Sequence, residues 1–217
     1  MPTTFFTSDE HFGHANIIKF CHRPFTDTNH MRESLIDNHN SVVKKNDTVF
    51  HLGDMFWNSL TEQECFYIKS RLNGVHFYIL GNHEKQINRS QALRETFHWV
   101  KDVYNLQLNG YPNIWLSHYA HRVWPGSHKG AYHLYGHSHA GLKELDGGSV
   151  PDESPLSFDV GVDAQNFIPI SLEEVIVKMN PKKEVWEKHI IKCKCGNKFI
   201  SKSDNVICSR CGERMGR

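Results

Sequence analysis

Polar and apolar positions alternate in short blocks along the first half of the chain. Residues 3–8 (TTFFTS), β-branched Thr around Phe5-Phe6, predict a short buried strand, and residues 48–52 (TVFHL) and 75–80 (VHFYIL) predict two more. Between them, residues 31–45 carry Leu35, Val42 and Val43 among polar neighbours and predict a helix. Residues 61–72 predict a second helix. It opens with Thr61 and Glu64 at the spacing of a capping box, in which each residue satisfies the other's free N–H. Residues 90–97 read as a short helix. The pattern then changes to hairpins: residues 103–108 and 113–117 flank Asn109-Gly110, a pair suited to the positive φ angles of a tight turn. Residues 131–135 and 157–160 predict further strands, and Ser171 with Glu174 caps a last helix running to about residue 180. Strands alternating with helices, followed by hairpins, predict an α/β layered domain with mixed sheets. The polar, Gly-rich residues 141–155 read as a surface loop, and Asn180-Pro181-Lys182-Lys183 opens the passage to a tail.

Composition divides this picture in two. A chain of 217 residues holds one sizeable domain and a small appendage, expected at residues 1–181 and 188–217. Hydrophobic residues at 39% and charged residues at 23% argue against disorder. The near balance of 25 Lys and Arg against 24 Asp and Glu hides a split. Residues 1–181 hold 15 basic and 20 acidic side chains, residues 182–217 hold 10 and 4, and the two parts are expected to meet different partners. Of 16 His, 15 precede residue 181, and four of the 6 Cys lie between residues 193 and 211, which points to two separate metal-binding regions. No run approaches the ~18 apolar residues of a membrane helix. The opening MPTTFF lacks the features of a secretory signal. The expectation is a cytoplasmic chain, in a reducing compartment where clustered Cys bind metal more often than they pair.

The candidate chemistry sits where strands end. Asp9 and His11 follow the first strand, Gly53-Asp54 the second and Gly81-Asn82-His83-Glu84 the third; His118 and Gly136-His137-Ser138-His139 follow two later ones. Sites in α/β sheets form beyond the carboxyl ends of strands, so a shared edge gathers these clusters. Imidazole and carboxylate suit Zn, Fe and Mn. Two Asp, one Asn and four His exceed the needs of one ion and fit two ions ~3.5–4 Å apart, with the two oxygens of Asp54 as a natural bridge.

In this order the motifs resemble those of the calcineurin-like metallophosphoesterase superfamily, over residues 3 to about 179. The resemblance implies two mixed β-sheets packed as a sandwich flanked by helices. It implies that Asp9, His11 and His139 hold a first metal, that Asn82, His118 and His137 hold a second, and that Asp54 bridges two divalent ions (Mn, Fe, Zn or Ni). His83 would face the substrate and protonate the leaving oxygen, with Asn82 helping to neutralise phosphoryl charge. The implied activity is hydrolysis of a phosphomonoester or phosphodiester. Water between two cations loses a proton near neutral pH, since one metal can already lower its pKa from about 15.7 to about 7, and the resulting hydroxide attacks phosphorus in line. The rival dinuclear pattern His-x-His-x-Asp-His is absent.

Neighbouring residues carry two readings each. His14 could contact the substrate phosphate or, with Asn16, cap a short helix. Glu84 could orient His83 or cap the turn. Arg122 and Lys129, after His118, could bind phosphate oxygens or be solvated; Trp124 could line a pocket or pack. His51 reads as a satisfied core histidine, and Cys21 and Cys65 as isolated structural cysteines. In the tail, Cys193-x-Cys195-Gly196 and Cys208-x-x-Cys211-Gly212 resemble the two knuckles of a zinc ribbon, with four thiolates around one structural Zn, against the alternative of two disulfides. The basic tail with Phe199 raises nucleic acid as a partner. A binding protein that acts on nucleic acid or protein through this ribbon, with the body as scaffold, is the alternative to an enzyme.

Overall fold

The computed structural model describes residues 2–142, 156–188, 190–196, 198–200, 205–208 and 210–216, so most of the loop expected at 141–155 lies outside the described residues. In the first sheet, β1 (Thr4–Thr7), β2 (Thr48–His51), β3 (Val75–Ile79) and β4 (Val100–Lys101) run parallel, and β9 (Ile170–Ser171) joins β1 antiparallel at the other edge. The second sheet has the order β5 (Val103–Leu106), β6 (Ile114–Ser117), β7 (Tyr132–Tyr135), β8 (Ser157–Asp159). β5 and β6 form the antiparallel pair expected around Asn109-Gly110. The hairpin pattern ends there, because β6, β7 and β8 are parallel. Parallel neighbours need long crossover connections, and the stretch between β6 and β7 after His118 supplies one.

Alternation along the strands assigns the faces. Phe5 and Val49 pack with Val43, the residue just past α2 (Thr28–Val42). Phe6, Phe50 and Phe77 share one register and stack at 5.7 and 5.0 Å on the opposite face. There they meet Leu106, Leu116 and Leu134, so both sheets bury one common core. A second cluster joins α1 (Ala15–Phe20), α2 and α3 (Glu62–Arg71) to the first sheet through Ile17, Met31, Ile36, Ile68 and Tyr78. α2 starts earlier than its apolar pattern suggests because the Asp27 side chain accepts from the N–H groups of Asn29 and His30. The Thr61–Glu64 capping box on α3 is present. The helix expected at 90–97 is the shorter α5 (Gln91–Arg94), opened by Ser90, whose hydroxyl caps Leu93 N–H, and it is preceded by a further helix, α4 (Lys85–Arg89), that was not expected. α6 (Leu172–Lys188) runs through Pro181, beyond its expected end. Proline forfeits one helical hydrogen bond, yet continuing the helix brings Trp186 into the inter-sheet core beside Gly130. In the tail, β10 (Ile190–Lys192) pairs with β11 (Lys198–Ile200) and β12 (Asn205–Ile207) with β13 (Arg214–Gly216). Among the described residues no helix is long and apolar enough to cross a membrane.

Buried histidines line the helix-facing side of the first sheet. His51 is the bonded core residue expected: Nδ1 lies 2.8 Å from Glu10 Oε1 and Nε2 lies 2.8 Å from His76 Nδ1. His39 donates to the Asn73 carbonyl at 2.8 Å, and burial holds its imidazole below the ordinary 6.5, at about 4. The unfolded chain takes up that proton near 6.5 and the fold does not. The contribution of His39 to stability is therefore present above 6.5 and is lost as pH falls from 6.5 toward 4. His39→Gln keeps the donor and removes the titration. It is expected to flatten the acid-side decline in unfolding free energy by about one proton, as measured by urea titration from pH 7.5 to 4.5. An unchanged slope would contradict the assignment.

Candidate metal centre

The ends of both sheets are stitched together around Asp9 and Asp54. Asp9 N–H donates to Gly53 O and His11 N–H to Asp54 O, both at 3.0 Å, tying the end of β1 to that of β2. His137 N–H donates to Asp9 Oδ2 at 2.8 Å, and His118 Nδ1 donates to Leu52 O at 2.7 Å, which brings in the ends of β7 and β6. Glycine is required where these loops touch the carboxylates. A Cβ on Gly81 would sit 2.2 Å from Asp54 Oδ1, and one on Gly136 would sit 2.4 Å from Asp9 Oδ2. Backbone strain concentrates here as well. Among the described residues Asp9, His11, Asp54, His137 and His139 all have φ between 46° and 65°, the left-handed region that costs a side-chain-bearing residue energy and marks functional loops.

The side chains form two triads. Asp9, His11 and His139 place donor atoms within 4.8 Å of one another, and so do Asp54, His118 and His137; either group could hold a metal ion. Asp54 Oδ2 reaches toward both, lying 3.7 Å from His11 Nε2 and 3.5 Å from His118 Nε2. Asn82 Oδ1 is 2.9 Å from His118 Nε2. Asp9, His11, Asp54 and His118 are buried while Asn82 and His137 are exposed, so the centre opens on the second triad's side.

The donors fit cations. Asp9 Oδ1 and both ring nitrogens of His11 are buried without a hydrogen-bond partner, an arrangement costing about 1–3 kcal/mol for each group left unpaired. The protonation pattern shows the same lack of positive charge. Burial lowers both His118 and His139. Hydrogen bonding and nearby charge from Asp54 and Asp9 nevertheless lift His118 to about 8, and the Asp163 carboxylate, with Cys21 and Asp9, lifts His139 to about 10. Burial raises Asp54, but its bonds to His118 and to His83 N–H bring it down to about 2. Burial dominates at Asp9, which rises to about 7, and at His11, which falls to about 2.

His83 lies beside this centre and is partly exposed. Its N–H donates to Asp54 Oδ1 at 2.8 Å, and its ring lies 5.6 Å from His11 and 4.6 Å from Trp57. His14 stacks on Trp57 at 3.5 Å and lies 5.4 Å from His11. It stands at the N-terminus of α1 without capping it, and its Nδ1 is buried and unpartnered, which removes the capping reading. Of its two readings Glu84 takes the second, capping the turn through Gly81 N–H, and it makes no cap on α4. Its Oε1 accepts from Asp54 N–H and Gly81 N–H at 2.8 Å, and Tyr78 Oη donates to it at 3.0 Å, so it locks two donor loops together. Trp124 packs in the inter-sheet core. Arg122 is exposed on the loop between β6 and β7, and Lys129 ends the 3₁₀ turn Ser127–Lys129 on that loop.

Several contributors escape a reading of the sequence. Asp159 Oδ2 accepts from Ser138 Oγ and Ala140 N–H, bracing the His137–His139 loop; its place at the end of β8 is the signal that could have marked it. Asp163 accepts from His139 Nδ1 at 2.7 Å and pairs with the buried Arg23. Tyr119, 48% exposed, lies edge-on to His118 and His137 at 5.1 and 4.6 Å. Cys21 is not isolated, since it groups with His139 and Asp163 within 4.8 Å. Cys65 is buried in the core, as expected.

In the tail, Cys193, Cys195, Cys208 and Cys211 cluster within 4.8 Å and could hold a metal such as zinc. None of the four is in a disulfide. The Cys193–Cys211 and Cys195–Cys208 sulfur separations of 3.4 and 3.7 Å exceed a disulfide bond.

Fold and site together define an α/β protein with two mixed sheets and a carboxylate–imidazole cluster at their joint edge, followed by a four-cysteine tail. The chain is 33% identical over 185 residues to the uncharacterized protein MJ1445 of Methanocaldococcus jannaschii, a match covering 85% of this chain and 95% of the relative, and it belongs to that protein's family. The crystal structure of the protein of unknown function AQ665 from Aquifex aeolicus resembles it with a TM-score of 0.65 at 25% identity, covering 82% of this chain and 99% of that one. No family model matches the chain.

Proposed function

We propose that the chain is a dinuclear metal-dependent phosphoesterase of the calcineurin-like type. The observation that carries this reading is the position of Asp54, whose carboxylate lies within 3.7 Å of a donor nitrogen in each triad, beside the unpartnered Asp9 Oδ1 and His11. Asp9, His11 and His139 would hold one divalent ion, Asn82, His118 and His137 a second, and Asp54 would serve both. When bound, such a pair supplies neutralising charge for phosphoryl oxygens and acidifies water at neutral pH. The chain's own groups do the rest. Glu84 fixes the Asp54 loop against the Gly81 loop, and the Leu52 carbonyl fixes the tautomer of His118 that leaves Nε2 free to ligate. His83, anchored through its N–H to Asp54 and with its ring partly exposed, holds a proton for the leaving oxygen. His14 and Asn82 would meet the anionic substrate.

The test is hydrolysis of an aryl phosphomonoester and an aryl phosphodiester by the full chain with Mn, Fe, Zn and Ni, together with metal analysis. Two body ions and turnover support the reading; a metal-free, inert body rejects it. His83→Ala is expected to slow turnover by about 10²–10⁴ with both ions retained. Unchanged turnover would remove the proton-donor role.

A further inference from the structure

Arg23 has no part in the roles assigned above, yet it is the most completely bonded side chain near the centre. It is 4% exposed. Its Nε and Nη2 donate to Asp163 Oδ1 and Oδ2 at 2.8 and 2.7 Å, a bidentate pairing. Nη2 also donates to Asp9 O at 2.8 Å, and Nη1 donates to Glu10 O at 2.9 Å and to Met31 Sδ at 3.5 Å. The same Oδ2 of Asp163 also meets His139, whose Nδ1 lies 2.7 Å away. One guanidinium therefore grips the backbone of the Asp9–His11 segment directly, and grips His139 through one carboxylate. These are the three donors of the first triad, contributed by loops 128 residues apart.

Two donors of the second triad rest on different supports, His118 on the Leu52 carbonyl and Asp54 on Glu84, while the His137 N–H is tied to Asp9 Oδ2. Among the described residues, no hydrogen bond or ion pair joins Asp54, His118 or His137 to Arg23 or Asp163. We propose that Arg23 and Asp163 are a positioning pair that assembles the first cation site alone, so that the two sites can be lost one at a time. The inference rests on the dinuclear reading above. A lysine cannot reproduce the fork of bonds that Arg23 makes, and an asparagine at 163 keeps the size of the side chain while losing the charge that pairs with both neighbours. Such outer partners typically set metal affinity by about 10–100-fold.

The experiment uses the full chain loaded with Mn²⁺, in the parent and in the Asp163→Asn and Arg23→Lys variants. Mn²⁺ binding isotherms and electron paramagnetic resonance separate a spin-coupled pair from an isolated ion, and neither readout depends on turnover. The expected result is weakening of one of two sites by about 10–100-fold, with the coupled signal replaced by that of a single ion and the other site unchanged. If Arg23→Lys fails to fold, Asp163→Asn carries the test. A parent binding two ions, with variants that lose both or neither, would overturn this inference and leave the dinuclear reading standing. A parent that binds no body ion would overturn both.

Discussion

Asp54→Ala is expected to empty both body sites together and to take phosphoester turnover below about 10⁻³ of the parent, since removal of a single preorganised donor already costs about 10²–10³. Its carboxylate reaches toward both triads: Asp54 Oδ2 is 3.7 Å from His11 and 3.5 Å from His118, and its Oδ1 holds the N–H of His83. The substitution would thus remove the shared anion, uncover two histidines and free the loop that carries the proton donor. Metal analysis and turnover on the same sample check it. A variant that keeps two ions, or a tenth of the parent rate, would show that the triads do not depend on this carboxylate.

Cys208→Ser is expected to unfold the tail while the body's melting transition and turnover stay as in the parent. Cys208 is buried, 3.7 Å from Cys195 in the four-thiol cluster. Two short hairpins bury too little apolar surface to fold alone. A structural zinc supplies on the order of 10–16 kcal/mol, which would be the main term holding residues 190–216. Zinc release by a strong chelator, followed by limited proteolysis, reads the outcome. A tail that stays protease-resistant without metal would refute it.

The donor set was legible because each member combines a metal-binding side chain with a glycine or a strand end in a few consecutive residues, as in Gly53-Asp54 and Gly136-His137-Ser138-His139. What supports the donors was not legible. Arg23 and Asp163 are ordinary charged residues in sequence, and only the fold places them 2.7 Å apart. Glu84 stood inside a motif, but its partners, Asp54 N–H and Tyr78 Oη, come from the loop after β2 and from within β3. Cys21 was judged by its distance from other cysteines, whereas its neighbours are a histidine and an aspartate. Strand positions were readable for β7 and β8 but their direction was not, since apolar alternation does not encode which way a neighbour runs. Pro181 misled for a related reason: a local stop signal was outweighed by burial of Trp186.

Each donor triad draws from both sheets, Asp9 and His11 from one with His139 from the other, and Asp54 from one with His118 and His137 from the other. A cation in either place would act as a rivet, resisting slip between layers otherwise joined by greasy contact. Amide hydrogens of β1, β2 and β7 should then exchange with solvent faster once the ions leave, and withdrawing metal would relax the architecture as well as silence the reaction.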